Sequence, residues 1–139
     1  MRFYNREKEL ASLEKVRGGS FSVHSQMTVL TGRRRIGKTS LIFKSCENTP
    51  TVYLFVSRSN ETALCLRFVS EIRQALNIYV PELTNFAEVF RFLMDLGTRM
   101  AYNLVIDEFQ EFFYINETVY SQMQDIWDRY KDTTHVNLI

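Results

Sequence analysis

Gly32-Arg33-Arg34-Arg35-Ile36-Gly37-Lys38-Thr39-Ser40 meets the pattern Gly-x-x-x-x-Gly-Lys-[Ser/Thr] at every fixed position. Each fixed residue has a physical task in holding a polyphosphate. Gly32 and Gly37 permit the backbone turns and close approach that aim successive N–H groups inward at an anion. Lys38 reaches the outer phosphates, and Thr39 offers a small hydroxyl to Mg²⁺. Arg33, Arg34, Arg35 and Ile36 fill the variable positions, and Ser40 continues into a helix whose positive end faces the same anion. These nine residues form the candidate nucleotide-binding loop, with ATP and Mg²⁺ as the expected ligands.

The flanks agree with that assignment. Residues 26–31, Gln-Met-Thr-Val-Leu-Thr, read as a short strand entering the loop, and Leu41, Ile42 and Phe43 open an apolar helix after it. The expected fold class follows: an α/β, three-layer P-loop NTPase with a parallel sheet. With 139 residues, 45% of them hydrophobic, the chain can bury one core, so residues 1–139 are expected to be one domain. A net charge of +1 gives no general attraction to nucleic acid or membrane. Cys46 and Cys65 lack partners at metal-ligand spacing, which fits free thiols in a reducing cytoplasm. The longest apolar runs are too short to cross a bilayer, and no signal peptide is seen.

Further along, the chain alternates helix and strand signals. Asn5 is placed to cap a first helix carrying Leu10, Leu13 and Val16, which Arg17, Gly18, Gly19 and Ser20 are expected to end. Residues 51–56, Thr-Val-Tyr-Leu-Phe-Val, read as a second strand buried on both faces. Asn60 caps a helix with Leu64, Phe68, Ile72 and Leu76 on one stripe, flanked by Cys65 and Val69. Asn85 and Glu88 make a capping box for a helix carrying Phe86, Val89, Phe90, Leu93 and Leu96, with Gly97 at its end. A third strand covers residues 102–106. Asn116 is a candidate cap for a helix with Val119, Met123, Ile126, Trp127 and Tyr130, and residues 135–139 begin a fourth strand.

The third strand runs directly into Asp107 and Glu108. In parallel α/β sheets ligands sit at the carboxyl ends of strands, where this pair falls. Asp107 is suited to hold Mg²⁺, and Glu108 to orient and deprotonate an attacking water. The candidate catalytic residues are therefore Glu108 and Lys38, and the candidate metal-binding residues are Thr39 and Asp107.

Three stretches together, Phe3-Tyr4-Asn5-Arg6-Glu7, the triple-arginine phosphate loop and Val105-Ile106-Asp107-Glu108-Phe109-Gln110-Glu111, carry a family resemblance. The chain resembles the prokaryotic AAA-like ATPases, related to the STAND and origin-recognition ATPases. The resemblance implies the additional-strand, catalytic-glutamate type of P-loop domain, with the fourth strand lying between the loop strand and the Asp107 strand. It implies that Lys38 and Thr39 are the phosphate and magnesium residues, Asp107 the second magnesium residue and Glu108 the hydrolytic glutamate. The segment from Tyr4 to Glu7 would lie near the adenine.

Such ATPases continue with a sensor residue, a fifth strand, a helical lid and often a nuclease-like or DNA-binding C-terminal domain. None of these is seen before Ile139. On this resemblance the chain is expected to be an N-terminal ATPase portion stopping within its fourth strand, one that binds ATP and turns it over slowly.

Several functions stay open on sequence alone. Turnover can drive a conformational change in attached parts, or ATP occupancy can order the chain for a protein partner with little cleavage. Arg33, Arg34 and Arg35 could contact nucleic-acid phosphates, or could simply fill the loop and pair with carboxylates such as Glu108 or Glu111. Arg58, Arg99 and Arg129 could each act in trans as an arginine finger or remain surface charges. A small-molecule kinase shares the phosphate loop without needing the Asp-Glu pair, and the Asn-Lys-x-Asp run of a GTPase does not occur.

Overall fold

The computed structural model describes residues 7–30 and 38–139, with only the backbone of Lys38. The expectations placed on Tyr4, Asn5 and Arg6, and on the loop from Gly32 to Gly37, lie outside the described residues. Helix α1 (Glu7–Ser22) leads to strand β1 (Gln26–Met27), then helix α2 (Lys38–Ser45), strand β2 (Thr51–Phe55), and helices α3 (Glu61–Leu76) and α4 (Phe86–Leu96). Strand β3 (Tyr102–Asp107) is followed by a 3-10 helix (Phe109–Tyr114), helix α5 (Val119–Tyr130), a second 3-10 turn (Lys131–Thr133) and strand β4 (Val136–Leu138).

The sheet order is β1-β4-β3-β2 and each neighbouring pair is parallel. Strand β4 thus lies between β1 and β3, the additional-strand arrangement that the resemblance implied. Alternation along the strands then sorts side chains into two layers. Val52 and Leu54 of β2, Tyr102, Leu104 and Ile106 of β3, and Val136 and Leu138 of β4 join the main core with α3, α4 and α5. The other face carries Val105 into a smaller cluster with Ile42 of α2 and Cys46 just after it. Phe86 holds the main core together, with its ring 4.6 Å from Phe112 and 5.8 Å from Phe68 between centroids. Burying each of these rings contributes about 1.5–3 kcal/mol.

The helix starts follow their caps. Asn60 Oδ1 accepts from the Ala63 N–H at 2.7 Å, and Asn85 Oδ1 accepts from the Glu88 N–H at 3.0 Å while its Nδ2 donates to Glu88 Oε1. Glu61 joins two helix starts, accepting from Phe86 N–H on one oxygen and from Asn116 Nδ2 on the other.

Four expectations about elements are corrected. The glycine pair does not end α1, which continues to Ser22: the Val23 N–H bonds to Gly19 O at 2.9 Å, and the Ser20 and Ser22 hydroxyls donate to Val16 O and Gly18 O, while a Cβ at Gly19 would stand 2.5 Å from Gln26 Nε2. The loop strand is shorter than residues 26–31, although the Thr28 N–H still bonds to Leu138 O at 2.8 Å. Strand β2 is an edge strand and is buried on one face only, with Phe55 at 44% exposure. Asn116 lies ahead of α5, whose N-cap position is Thr118; the Asn116 carboxamide oxygen instead accepts from both the Thr118 N–H and hydroxyl. Among the described residues no helix is long and apolar enough to cross a membrane.

Candidate functional site

The carboxyl end of β3 lies beside the start of α2, so the two candidate metal-binding residues meet although 68 positions separate them. Thr39 Oγ1 stands 3.5 Å from Asp107 Oδ2, at the outer limit of a hydrogen bond. Asp107 is fixed from two further sides. The Glu108 N–H donates to Oδ1 at 2.9 Å, and the Tyr53 hydroxyl donates to Oδ2 at 2.5 Å. Lys38 opens the helix that carries Thr39. Its side chain, together with Gly32, Arg33, Arg34, Arg35, Ile36 and Gly37, lies outside the described residues. Ser40 is exposed on the first turn of α2.

Glu108 leaves the strand at φ 59°, ψ 40°. This left-handed conformation is uncommon for a residue with a Cβ and costs on the order of 1 kcal/mol or more. It turns the chain sharply at the carboxyl end of β3, so the side chain after the aspartate no longer follows the strand's alternation. The 3-10 helix begins at the next residue, and Gln110 Nε2 donates to Glu108 Oε2 at 2.5 Å.

A hydroxyl and a carboxylate are hard oxygen donors, and a pair of them suits Mg²⁺, which is commonly held by one or two side chains together with substrate phosphates. Among the described residues no group of three or more His, Cys, Asp or Glu gathers, so the site has no thiolate or imidazole cage competing for a softer metal.

Tyr53 is the residue that sequence reasoning missed. It occupies a strand position on the face shared with Asp107, and two residues of strand rise, about 6.6 Å, bring its hydroxyl level with that carboxylate. A phenol amid aliphatic neighbours, on the face toward the loop helix, was the available signal. Burial, then the hydrogen bond and charge of Asp107, holds the phenol above its ordinary range, so at neutral pH it is a donor.

The arginines divide as well. Arg58 Nε, on the β2–α3 connection, bonds to Glu111 Oε1 at 2.8 Å. Arg99 pairs with Asp95 at 3.6 Å. The two thiols are free and buried in separate clusters, Cys65 in the main core and Cys46 in the smaller one.

Comparison with known proteins finds similarity over nearly the whole chain. A protein of Methanocaldococcus jannaschii whose function is uncharacterised is 33% identical over 138 residues, which are 99% of this chain and 28% of that protein. The crystal structure of Cdc6p from Pyrobaculum aerophilum superimposes with a TM-score of 0.65 at 21% identity, over 99% of this chain and 38% of that one. The chain therefore spans about a quarter to two fifths of the length of these relatives, and the second comparison establishes the P-loop NTPase fold. The model of a family of ATPase domains predominantly from Archaea matches residues 3–139, and the chain belongs to that family.

Proposed function

We propose that this chain is the ATP-binding part of a Mg²⁺-dependent ATP hydrolase whose turnover changes the conformation of attached parts in the intact protein. The observation that carries the proposal is the meeting of Thr39 Oγ1 and Asp107 Oδ2 at 3.5 Å, at the carboxyl end of a parallel strand. A phosphate loop, a hydroxyl at the first turn of its helix and a carboxylate on the facing strand are the parts that phosphoryl transfer to water requires.

In this reading the backbone of residues 32–40 and the Lys38 ammonium bind and orient the β- and γ-phosphates. Thr39 and Asp107 would hold Mg²⁺, whose chemistry is to neutralise phosphate charge. Glu108 accepts the proton of the water that attacks the γ-phosphorus, as the bond to the ADP oxygen breaks and inorganic phosphate leaves. Asp107 and Glu108 thereby take different tasks, one in the strand direction and the other turned aside by its left-handed backbone.

The test is ATP binding by calorimetry with and without Mg²⁺ on this chain and on Lys38→Ala, with phosphate release followed in the same samples. The expected result is magnesium-dependent binding that Lys38→Ala abolishes. Glu108→Gln should then keep binding and lower phosphate release by about 10²-fold or more. Binding that persists in Lys38→Ala would overturn the assignment of the loop. Binding without any release sensitive to Glu108→Gln would instead mark a nucleotide-responsive switch that orders a partner.

A further inference from the structure

Tyr53 touches the proposed magnesium pair without belonging to the phosphate loop or the Asp-Glu pair. Its hydroxyl donates to Asp107 Oδ2, the same oxygen that faces Thr39 Oγ1, while the Glu108 N–H occupies Oδ1. A carboxylate oxygen has two in-plane acceptor directions. A phenol held on one of them leaves the other toward the Thr39 hydroxyl, where a cation or its water would sit between the two oxygens, and it resists rotation of the carboxylate. The ring itself is anchored from the opposite side: its centroid is 5.0 Å from that of Phe43, on the same helix α2 that carries Thr39. Tyr53 therefore spans between the helix bearing one metal-binding oxygen and the strand bearing the other.

We propose that Tyr53 is the positioning residue of the magnesium site, its hydroxyl fixing the Asp107 carboxylate toward Thr39 so that ATP binding depends steeply on Mg²⁺. The inference rests on the ATP and Mg²⁺ assignment above. Partners that orient a metal-binding carboxylate typically account for about 10–100-fold in metal affinity. A tyrosine serves this purpose better than a charged residue would: it orients the carboxylate through a short bond and leaves its negative charge available to the cation.

The experiment is a Mg²⁺ titration of ATP binding by calorimetry on the wild-type chain, Tyr53→Phe and Asp107→Asn, together with metal-free ATP binding and the thermal midpoint of each. Tyr53→Phe keeps the ring and its packing on Phe43, so the fold should persist with a thermal midpoint near that of the wild type. Its half-saturating Mg²⁺ concentration should rise about tenfold or more, with metal-free ATP affinity unchanged. A merely structural role would weaken both kinds of binding together, and that result would overturn the proposal. So would a Tyr53→Phe titration coincident with the wild type when Asp107→Asn is shifted. If the wild type binds ATP with no dependence on Mg²⁺, the assignment of the site itself falls, and the proposal for Tyr53 with it.

Discussion

Arg58 Nε lies 2.8 Å from Glu111 Oε1, and its guanidinium carbon stands 3.8 Å from the centre of the Tyr114 ring. The connection after β2 is thereby fastened to the 3-10 helix that follows Glu108. Among the arginines considered as fingers, Arg58 and Arg99 are both engaged within their own chain, Arg58 by the closer pair. Arg58→Ala should leave ATP-dependent phosphate release within about threefold of wild type, whereas loss of a finger lowers it by about 10³-fold or more. The pair is open to solvent on the arginine side, so its small contribution to stability should fade as salt is added. A collapse of turnover in Arg58→Ala at unchanged ATP affinity would return it to the catalytic machinery.

Two glycines test how closely the helices approach the sheet. At Gly97 an added Cβ would stand 2.5 Å from Val136 Cγ2, 3.1 Å from Met94 O and 3.2 Å from Thr134 Cβ, all on fully packed surroundings. At Gly19 it would meet the terminal amide of Gln26 at 2.5 Å, and that amide can swing aside. Gly97→Ala should therefore destabilise the chain by about 1–3 kcal/mol in urea unfolding. Gly19→Ala should be close to neutral, because the helical preference of alanine, about 1 kcal/mol, offsets the displacement. Equal costs at the two sites would mean that β4 yields to α4 as easily as a surface side chain does.

The sequence made the helices legible where a cap met an apolar stripe, as at Asn60 with Leu64, Phe68 and Ile72, because both signals are local. It also made the strand into Asp107 legible, since an apolar run ending in two carboxylates gains its meaning from following a phosphate-loop pattern by one strand and its helices. The edge position of β2 was hidden: Thr51, Tyr53 and Phe55 look as burial-ready as Val52 and Leu54, and only the strand order exposes one face. The 3-10 helix was hidden too, since Phe109 and Phe112 pack at a spacing that many turns share. Tyr53 escaped as part of the site because its partner comes from a strand 54 positions away. The run through Gly18 and Gly19 misled because glycine signals both helix ends and close approach, and only the neighbouring Gln26 decides between them.

Asn103 is the hub of a polar row crossing the sheet, in register with Thr51 on one side and Asn137 on the other, with Gln26 beyond. Its Nδ2 donates to Thr49 Oγ1, Pro50 O and Thr51 Oγ1, and its Oδ1 accepts from Asn137 Nδ2 at 2.8 Å. Asn103 and Asn137 are buried and Thr49 and Thr51 are half-buried, so Asn103→Ala leaves the buried Asn137 Nδ2 without its partner, removes three donated bonds and opens a cavity in the sheet. It should cost about 2–4 kcal/mol in urea unfolding. Asn137 has one such bond, and among the described residues its Oδ1 has no partner. Asn137→Ala should therefore cost clearly less than Asn103→Ala. A reversed ranking would show that the row is held from the β4 side.

Cys65 gives the fold a measurable response to alkali. Its thiol is fully buried in the main core, and burial, followed by the carboxylates of Glu61 and Glu88, pushes its pKa from 9.0 up to about 12. The raised value means that the folded chain keeps this proton where the unfolded chain loses it. The stabilising effect is thus fully present below about pH 9 and is lost progressively as pH rises toward about 12. Within that window stability should fall by up to about 1.4 kcal/mol per pH unit from this one group. Cys65→Ala removes the group while Cys46 and Tyr102, both also shifted upward, remain in the two proteins alike. The difference between their urea midpoints from pH 8 to pH 10.5 isolates Cys65, and the variant should show the shallower decline. Parallel slopes would mean that the thiolate is tolerated inside the core. Native Cys65 would then react with iodoacetamide at pH 9 instead of waiting for the chain to unfold.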